Sequence, residues 1–208
     1  MLNHIRRFLD HDYLFIRLVE SWVPEEDQRR VLTAFTKVKN ALNGRSRING
    51  DWAISHPRNA AAIYLLYCVE TKRLKLTGDA IVTILYHDFK EEMSNKYSFR
   101  SIVQEEGKIV ARGVYYCTKP KYGDGEKFLT REGADESFYR LLHRVPDENV
   151  GIKFADRVEN LLTLDALSPE RRRRNIVETE SRLLPLARER GIMAELLEEA
   201  LVVAKSYK

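Results

Sequence analysis

Apolar residues recur with the period of an α-helix along most of this 208-residue chain, and this pattern restricts the fold more than any other feature. Near the C-terminal end, Leu197, Ala200, Leu201 and Ala204 form one apolar stripe, which is typical of a helix that packs on a core. Glycine and proline, which interrupt helices, occur only 10 and 6 times. The pattern therefore predicts an all-α fold.

Capping signals predict where several of these helices begin and end. Pro24 precedes three acidic residues, as is typical of a first helical turn whose dipole favours negative charge. Thr77 and Ser168 are expected N-caps, and Pro169 after Ser168 suits the first helical position. Gly191 is expected to end a helix before the last one starts.

Three segments depart from simple helical periodicity. Residues 44–51 and 119–125 are rich in turn-forming residues, so we expect loops there. Residues 110–118 (VARGVYYCT) contain β-branched and aromatic side chains, yet we interpret them as a buried helix. No repeat or linker divides the chain, so we expect a single domain over 1–208, with N-terminal helices in 1–43.

Charge and composition exclude several classes of protein. The chain carries 35 basic and 31 acidic residues, so its net charge of +4 does not indicate a nucleic-acid partner. No apolar run approaches the roughly 18 residues of a membrane span, and no signal-peptide core is present. Cys68 and Cys117 show neither zinc-ligand spacing nor a disulfide framework. We therefore expect a cytoplasmic protein without membrane contact.

A small set of histidines and aspartates indicates a metal site. His87 and Asp88 follow an apolar segment that is expected to be helical, and His56 precedes another. Asp156 lies among apolar neighbours, where a carboxylate is costly to bury unless it is paired or metal-bound. Two imidazoles and two carboxylates form a mixed N/O donor set, which suits a divalent metal such as Mn²⁺.

The His-Asp pair has little weight as isolated evidence. The same dipeptide occurs at His11-Asp12, where we expect no special role. Spacing alone therefore leaves a structural role for His87-Asp88 open.

Several motifs in a fixed order make the pattern more specific. They are Arg47 followed nine residues later by 56–57 (HP), then 87–92 (HDFKEE), 117–119 (CTK), 152–164 (IKFADRVENLLTL), 185–187 (PLA) and 190–192 (RGI). In this order, over about residues 44–192, the chain resembles the hydrolase domain of the RelA/SpoT family. That family comprises HD-superfamily enzymes that remove the 3′-pyrophosphate from the alarmones ppGpp and pppGpp.

The resemblance implies a metal-dependent phosphohydrolase with an HD-type helical domain, in which a metal-activated water attacks the pyrophosphate. It assigns His56, His87, Asp88 and Asp156 as metal ligands, with Mn²⁺ expected. It assigns Glu91 and Glu92 as catalytic carboxylates beside the attacking water.

The resemblance also implies a pocket for a guanosine polyphosphate. Arg47 is expected to pack on the guanine base, with Asn160 and Thr163 contacting the nucleotide and Leu167 lining the base pocket. A substrate with several phosphates also needs basic groups, for which Lys90, Lys153 and Arg140 are candidates. We expect Arg157 to form a salt bridge that supports the site.

Departures from the family pattern leave alternatives open. Ile48, Trp52, Ala53 and Leu183 replace residues expected near the nucleotide, and Glu92 replaces an Asp. An HD phosphohydrolase for another nucleotide and a non-catalytic alarmone-binding protein therefore remain alternatives. A helical adaptor ranks last, because it leaves the buried Asp unexplained. No synthetase region follows the hydrolase motifs, so we expect a stand-alone hydrolase.

Overall fold

Helices form nearly all the regular secondary structure in the computed structural model, which describes residues 11–48, 50–89, 98–128 and 130–207. In chain order they are α1 (Asp12–Trp22), α2 (Glu25–Ala41), α3 (Ser55–Thr71), α4 (Gly78–Tyr86), α5 (Phe99–Glu106), α6 (Lys108–Cys117), α7 (Arg131–Leu142), α8 (Asp147–Leu162), α9 (Pro169–Glu178), α10 (Leu184–Arg190) and α11 (Ala194–Ser206). Within these ranges no residue belongs to a β-strand, and two isolated bridges, Ser46–Trp52 and Tyr122–Phe128, close short loops. The predicted all-α fold is confirmed.

The capping signals act as the sequence predicts. Helix α2 begins directly after Pro24. The Thr77 hydroxyl accepts a hydrogen bond from the Ala80 N–H at 3.2 Å, and the Ser168 hydroxyl caps α9 in the same way. Gly191 adopts a left-handed conformation with φ of 66°, which ends α10.

Residues 110–117 are helical, as predicted, and form most of α6, which ends one residue before the predicted bound of 118. Val110 and Val114, four residues apart, are both fully buried, which is the spacing of one helix face. Gly113 permits α6 to approach α4 closely, because a Cβ there would lie 2.6 Å from the Thr83 side chain. Tertiary packing therefore overrides the strand preference of these side chains.

Helices α3 and α8 pack against each other near the centre of the hydrophobic core. Gly151 brings α8 close to its neighbours, since a Cβ there would lie 2.5 Å from Leu74. Both helices also bury polar side chains, which are Ser55, His56, Arg58, Asn59, Lys153, Asp156, Arg157 and Glu159. Buried charges on this scale require partners, so these two helices are where a functional site is expected.

The connection between α9 and α10 is a π-helical turn over Thr179–Leu183. Pro185 lies at the start of α10 and lacks the N–H that an α-helix would donate to the carbonyl four residues earlier. In an α-helix the proline ring would also clash with that carbonyl, and the wider π-helical turn before Pro185 avoids the clash. Across the described ranges, none of the helices has the length and apolar character needed to traverse a lipid bilayer.

Candidate metal centre

Three structural elements meet where the sequence predicts a metal site. His56 lies in the first turn of α3, His87 caps the end of α4 with Asp88 after it, and Asp156 lies midway along α8. His56, His87 and Asp156 are almost completely buried, whereas the Asp88 side chain is 36% exposed. The centre is therefore open to solvent on the Asp88 side.

The inward-facing atoms of these four side chains lie about one hydrogen-bond length apart. The two Nε2 atoms of His56 and His87 are 3.1 Å apart. The Asp88 carboxylate lies 3.0 Å from the first and 3.1 Å from the second. Asp156 Oδ1 lies 3.1 Å from His56 Nε2 and 3.3 Å from His87 Nε2. Ligands bound at roughly 2.0–2.2 Å to one divalent cation have separations of this size.

Contacts at the outer nitrogens fix the tautomers of both imidazoles. His87 Nδ1 lies 2.6 Å from the Ile84 carbonyl oxygen, and His56 Nδ1 contacts the Glu159 carboxylate. Because both partners are acceptors, we assign the proton to Nδ1 in each ring. The Nε2 lone pairs then face each other across the centre, and a cation between them removes their repulsion.

Electrostatics in the centre favour positive charge. Burial lowers the pKa of His87, but the Asp88 and Asp156 carboxylates outweigh burial and raise it to about 10. Burial likewise opposes protonation of His56, yet Glu159 and the two aspartates raise its pKa well above the ordinary value. Burial works to raise the pKa of Asp156, whereas Lys153 and the imidazoles hold it well below its usual range. A proton or a metal ion is therefore attracted to the same place.

Two other predicted site residues lie beside this centre. Arg47 Nη1 donates to Glu159 Oε1 at 2.8 Å, and its Nη2 lies 3.5 Å from Asn160 Oδ1. Asn160 Nδ2 in turn donates to Asp156 Oδ1 at 2.7 Å. Asn160 is therefore bonded directly to a predicted ligand, whereas Arg47 is linked to the ligands through Glu159 and Asn160.

The remaining predicted nucleotide contacts lie further away. The Thr163 hydroxyl donates to the Glu159 carbonyl oxygen at the end of α8, and Leu167 packs partly buried against the core. Arg140 projects from α7 with its side chain 66% exposed and pairs with Glu136 at 3.4 Å. Among the described residues, no contact of Arg140 reaches the centre. Lys90, Glu91 and Glu92 lie outside the described residues.

The basic residues of α8 support the centre. Lys153 Nζ donates to Asp156 Oδ2 at 2.7 Å and lies 5.6 Å from the centroid of the Phe138 ring. Arg157 forms the expected salt bridge, with its Nη2 3.1 Å from the Glu178 carboxylate. Both cations are therefore engaged by the protein itself.

Glu159, the carboxylate that contacts His56, is a site residue that was not predicted from the sequence. Its side chain is 2% exposed and contacts both His56 and Arg47. A signal was present, because positions 156, 159, 160 and 163 share one face of a helix by their spacing of three, four and seven residues. This stripe of polar side chains marks the face of α8 that lines the centre.

Comparison with curated proteins finds relatives that are named as (p)ppGpp hydrolases or as GTP diphosphokinases. Over 181 residues the chain is 30% identical to the bifunctional (p)ppGpp synthase/hydrolase SpoT of Escherichia coli, covering 85% of this chain and 24% of the relative. It is 33% identical over 157 residues to the guanosine-3′,5′-bis(diphosphate) 3′-pyrophosphohydrolase of Haemophilus influenzae, covering 74% and 21%. A probable chloroplastic GTP diphosphokinase of Arabidopsis thaliana is 30% identical over 172 residues, covering 80% and 22%.

The chain thus spans about a quarter of the length of these relatives. No protein-family model matches the chain.

Proposed function

The chain belongs to the RelA/SpoT family, and from this relationship we propose that it is a metal-dependent pyrophosphohydrolase that removes the 3′-pyrophosphate of ppGpp and pppGpp. The observation that carries the proposal is the centre itself. Two imidazoles with fixed tautomers direct Nε2 lone pairs at each other, and two carboxylates flank them. These nitrogen and oxygen lone pairs repel one another when buried together, and a cation between them stabilises the arrangement.

We propose His56, His87, Asp88 and Asp156 as the ligands and Mn²⁺ as the metal, since the donor set mixes nitrogen and oxygen. His56, His87 and Asp88 alone already have donor atoms close enough to hold one ion. A divalent metal bound there would supply Lewis-acid chemistry, lowering the pKa of water and offsetting the negative charge of the phosphates.

The chain's own residues prepare this site and bind the substrate. Lys153 and Asn160 each donate to one oxygen of Asp156, which fixes the orientation of that carboxylate. Glu91 and Glu92 are proposed to orient the attacking water and take its proton, a role worth roughly 10²–10⁴-fold in rate. Attack of that water on the pyrophosphate ester releases pyrophosphate and leaves GDP or GTP.

The nucleotide is proposed to lie along the α8 face that continues from the centre. Arg47 and Asn160 adjoin the ligands, and Thr163 lies one turn further along α8, with Leu167 beyond it. A guanidinium held in place by a carboxylate presents a planar face on which a base can stack. The position of Arg140, paired with Glu136 on the surface, gives its proposed substrate contact no support.

One observation favours a different nucleotide as a second candidate. Ile48 and Trp52, in the loop that carries Arg47, are 68% and 63% exposed. Both replace residues expected near the base in the family pattern. The second candidate is therefore an HD phosphohydrolase whose base pocket differs from that of the family and accepts a base other than guanine.

Two coarser proposals accompany this function. One hydrophobic core runs from Phe15 to Ala204, which supports a single HD-type domain. The second proposal is a cytoplasmic location, because Cys68 and Cys117 are free and buried, as expected in a reducing compartment.

Product analysis with purified protein tests the function directly. With ppGpp and Mn²⁺ we expect GDP and pyrophosphate, and with a chelator we expect neither. Asp88→Ala is the matched control, because its partly exposed position makes misfolding less of a concern. Turnover by Asp88→Ala equal to that of wild type would contradict the assigned centre.

The substrate assignment has its own test in a panel of nucleotides. Activity on ppGpp well above that on adenine nucleotides supports the family substrate. Metal-dependent activity confined to another nucleotide would overturn it and favour the second candidate.

A further inference from the structure

Glu159 is a single carboxylate shared between two functional side chains. Its Oε2 contacts Nδ1 of His56, and its Oε1 accepts a hydrogen bond from Nη1 of Arg47 at 2.8 Å. The Glu159 side chain is only 2% exposed, so water cannot readily replace either partner. The residue therefore joins the metal centre to the neighbouring arginine.

The two partners impose a chemical requirement that only a carboxylate meets. His56 Nδ1–H and the Arg47 guanidinium are both donors, so the group between them must offer two acceptors. A carboxylate offers an acceptor oxygen to each side. A carboxamide of the same size offers one acceptor and one donor, so one side must meet a donor.

We propose that Glu159 is a positioning residue that couples metal loading at His56 to the placement of Arg47. This inference rests on the proposed function for the identity of the metal site and of the nucleotide-facing arginine. Glu159 keeps the His56 proton on Nδ1, which leaves the Nε2 lone pair toward the centre. The same carboxylate anchors the arginine that is proposed to lie against the base.

Glu159→Gln tests the first half of the coupling. The charged Arg47 is expected to take the amide oxygen, which turns the amide NH₂ toward His56 Nδ1. His56 must then move its proton to Nε2, where it blocks the metal. We expect Mn²⁺ affinity, measured by calorimetry without nucleotide, to fall by roughly 10–100-fold.

The double variant Arg47→Ala/Glu159→Gln tests the coupling itself. Without the arginine, the amide oxygen is free to turn to His56, and the Nδ1–H tautomer returns. We expect Mn²⁺ affinity to recover to within roughly threefold of that of Arg47→Ala alone. A general structural role for Glu159 predicts the opposite, because two disruptive changes would add.

Glu106→Gln is the matched control. Glu106 is also a carboxylate between an arginine and a neutral donor, with its side chain 11% exposed, the Tyr86 hydroxyl at 2.9 Å and Arg30 Nε at 3.7 Å. The same chemical change there is expected to leave Mn²⁺ affinity unchanged. Circular dichroism and thermal melting of all variants establish that each one is folded.

Three results would overturn the coupling. They are wild-type Mn²⁺ affinity in Glu159→Gln, no recovery in the double variant, and an equal loss of affinity in Glu106→Gln. Failure of the proposed function is distinguishable from these results. Without a metal site the wild-type protein would bind no Mn²⁺, and a wrong substrate assignment would change the nucleotide panel but not the Mn²⁺ affinities of the variants.

Discussion

Two consecutive residues of α8 enter two different buried polar clusters, and the contrast between them separates structure from function. Asp156 faces the proposed metal centre, whereas Arg157 faces a second group of side chains. We term this group the Glu178 cluster, and its members are Lys119, Asp135, Tyr139, Arg157 and Glu178. Both clusters bury charge in the same part of the fold. They differ in whether the protein alone completes them.

Each charged group of the Glu178 cluster has an oppositely charged partner within the protein, although the buried Arg157 Nε has no hydrogen-bond partner. Glu178 accepts hydrogen bonds from Lys119, Tyr139 and Arg157, and Asp135 provides a second carboxylate for Lys119. Lys119 and Arg157 therefore balance the two carboxylates, and Arg131 adds a further contact to Asp135 at 3.4 Å. Ion pairing within the protein therefore explains these residues, and no ligand is needed to account for them.

The proposed metal centre needs further positive charge. Three carboxylates, from Asp88, Asp156 and Glu159, face two side chains of permanent positive charge, Arg47 and Lys153, so the imidazoles attract either protons or a metal ion. Among the described residues, no other side chain donates a hydrogen bond between the two Nε2 atoms. The comparison teaches that burial of charge alone does not mark a site, whereas an excess of inward-facing acceptors does.

Breaking the Glu178 cluster should give the largest change in stability. Glu178→Ala leaves Arg157 and Lys119 without their shared carboxylate, and loss of one partner of a buried pair typically costs about 3–5 kcal/mol. Urea unfolding of the variant measures the loss. Mn²⁺ affinity should stay near that of wild type, and an equally large loss of metal binding would show that the clusters act as one.

Acid should weaken the same cluster in a defined pH range. Burial raises the pKa of Glu178, but Arg157 and Lys119 outweigh it and lower the pKa to about 2, against an ordinary value of 4.5. A carboxyl with a lowered pKa stabilises the fold above pH 4.5, and this contribution is lost as the pH falls from 4.5 toward 2. The lost contribution is about 3 kcal/mol for a shift of this size.

Glu178→Gln isolates this effect from the titration of other carboxylates. The difference in unfolding free energy between wild type and variant should be largest at pH 7 and should shrink below pH 4.5. A difference that stays constant down to pH 3 would contradict the lowered pKa.

Local sequence signals were sufficient for most of the fold. Thr77 and Ser168 cap helices through their own hydroxyls, and such contacts span only three residues. The π-helical turn before Pro185 was not predicted, although the sequence contains the proline that explains it. A helical pattern reports which face is buried but not how wide a turn becomes.

Part of the candidate site could be predicted from the sequence. His56, His87, Asp88 and Asp156 were selected as a set, and the structure brings their side chains together. Glu159 was missed because a glutamate on a helix is usually solvated, and its partner His56 lies 103 residues away in sequence. Only the packing of α3 on α8 reveals that contact.

Metal addition gives the smallest of the three expected effects and tests the centre directly. A ligand that binds only the folded state stabilises it by about 2.7 kcal/mol at 100 times its Kd. Mn²⁺ should therefore raise the melting temperature of wild type, and Asp88→Ala should show no such rise. Glu178→Ala, although less stable, should keep the full rise, because its centre retains every inward-facing acceptor. A rise of equal size in Asp88→Ala would place the ion elsewhere and remove the distinction between the two clusters.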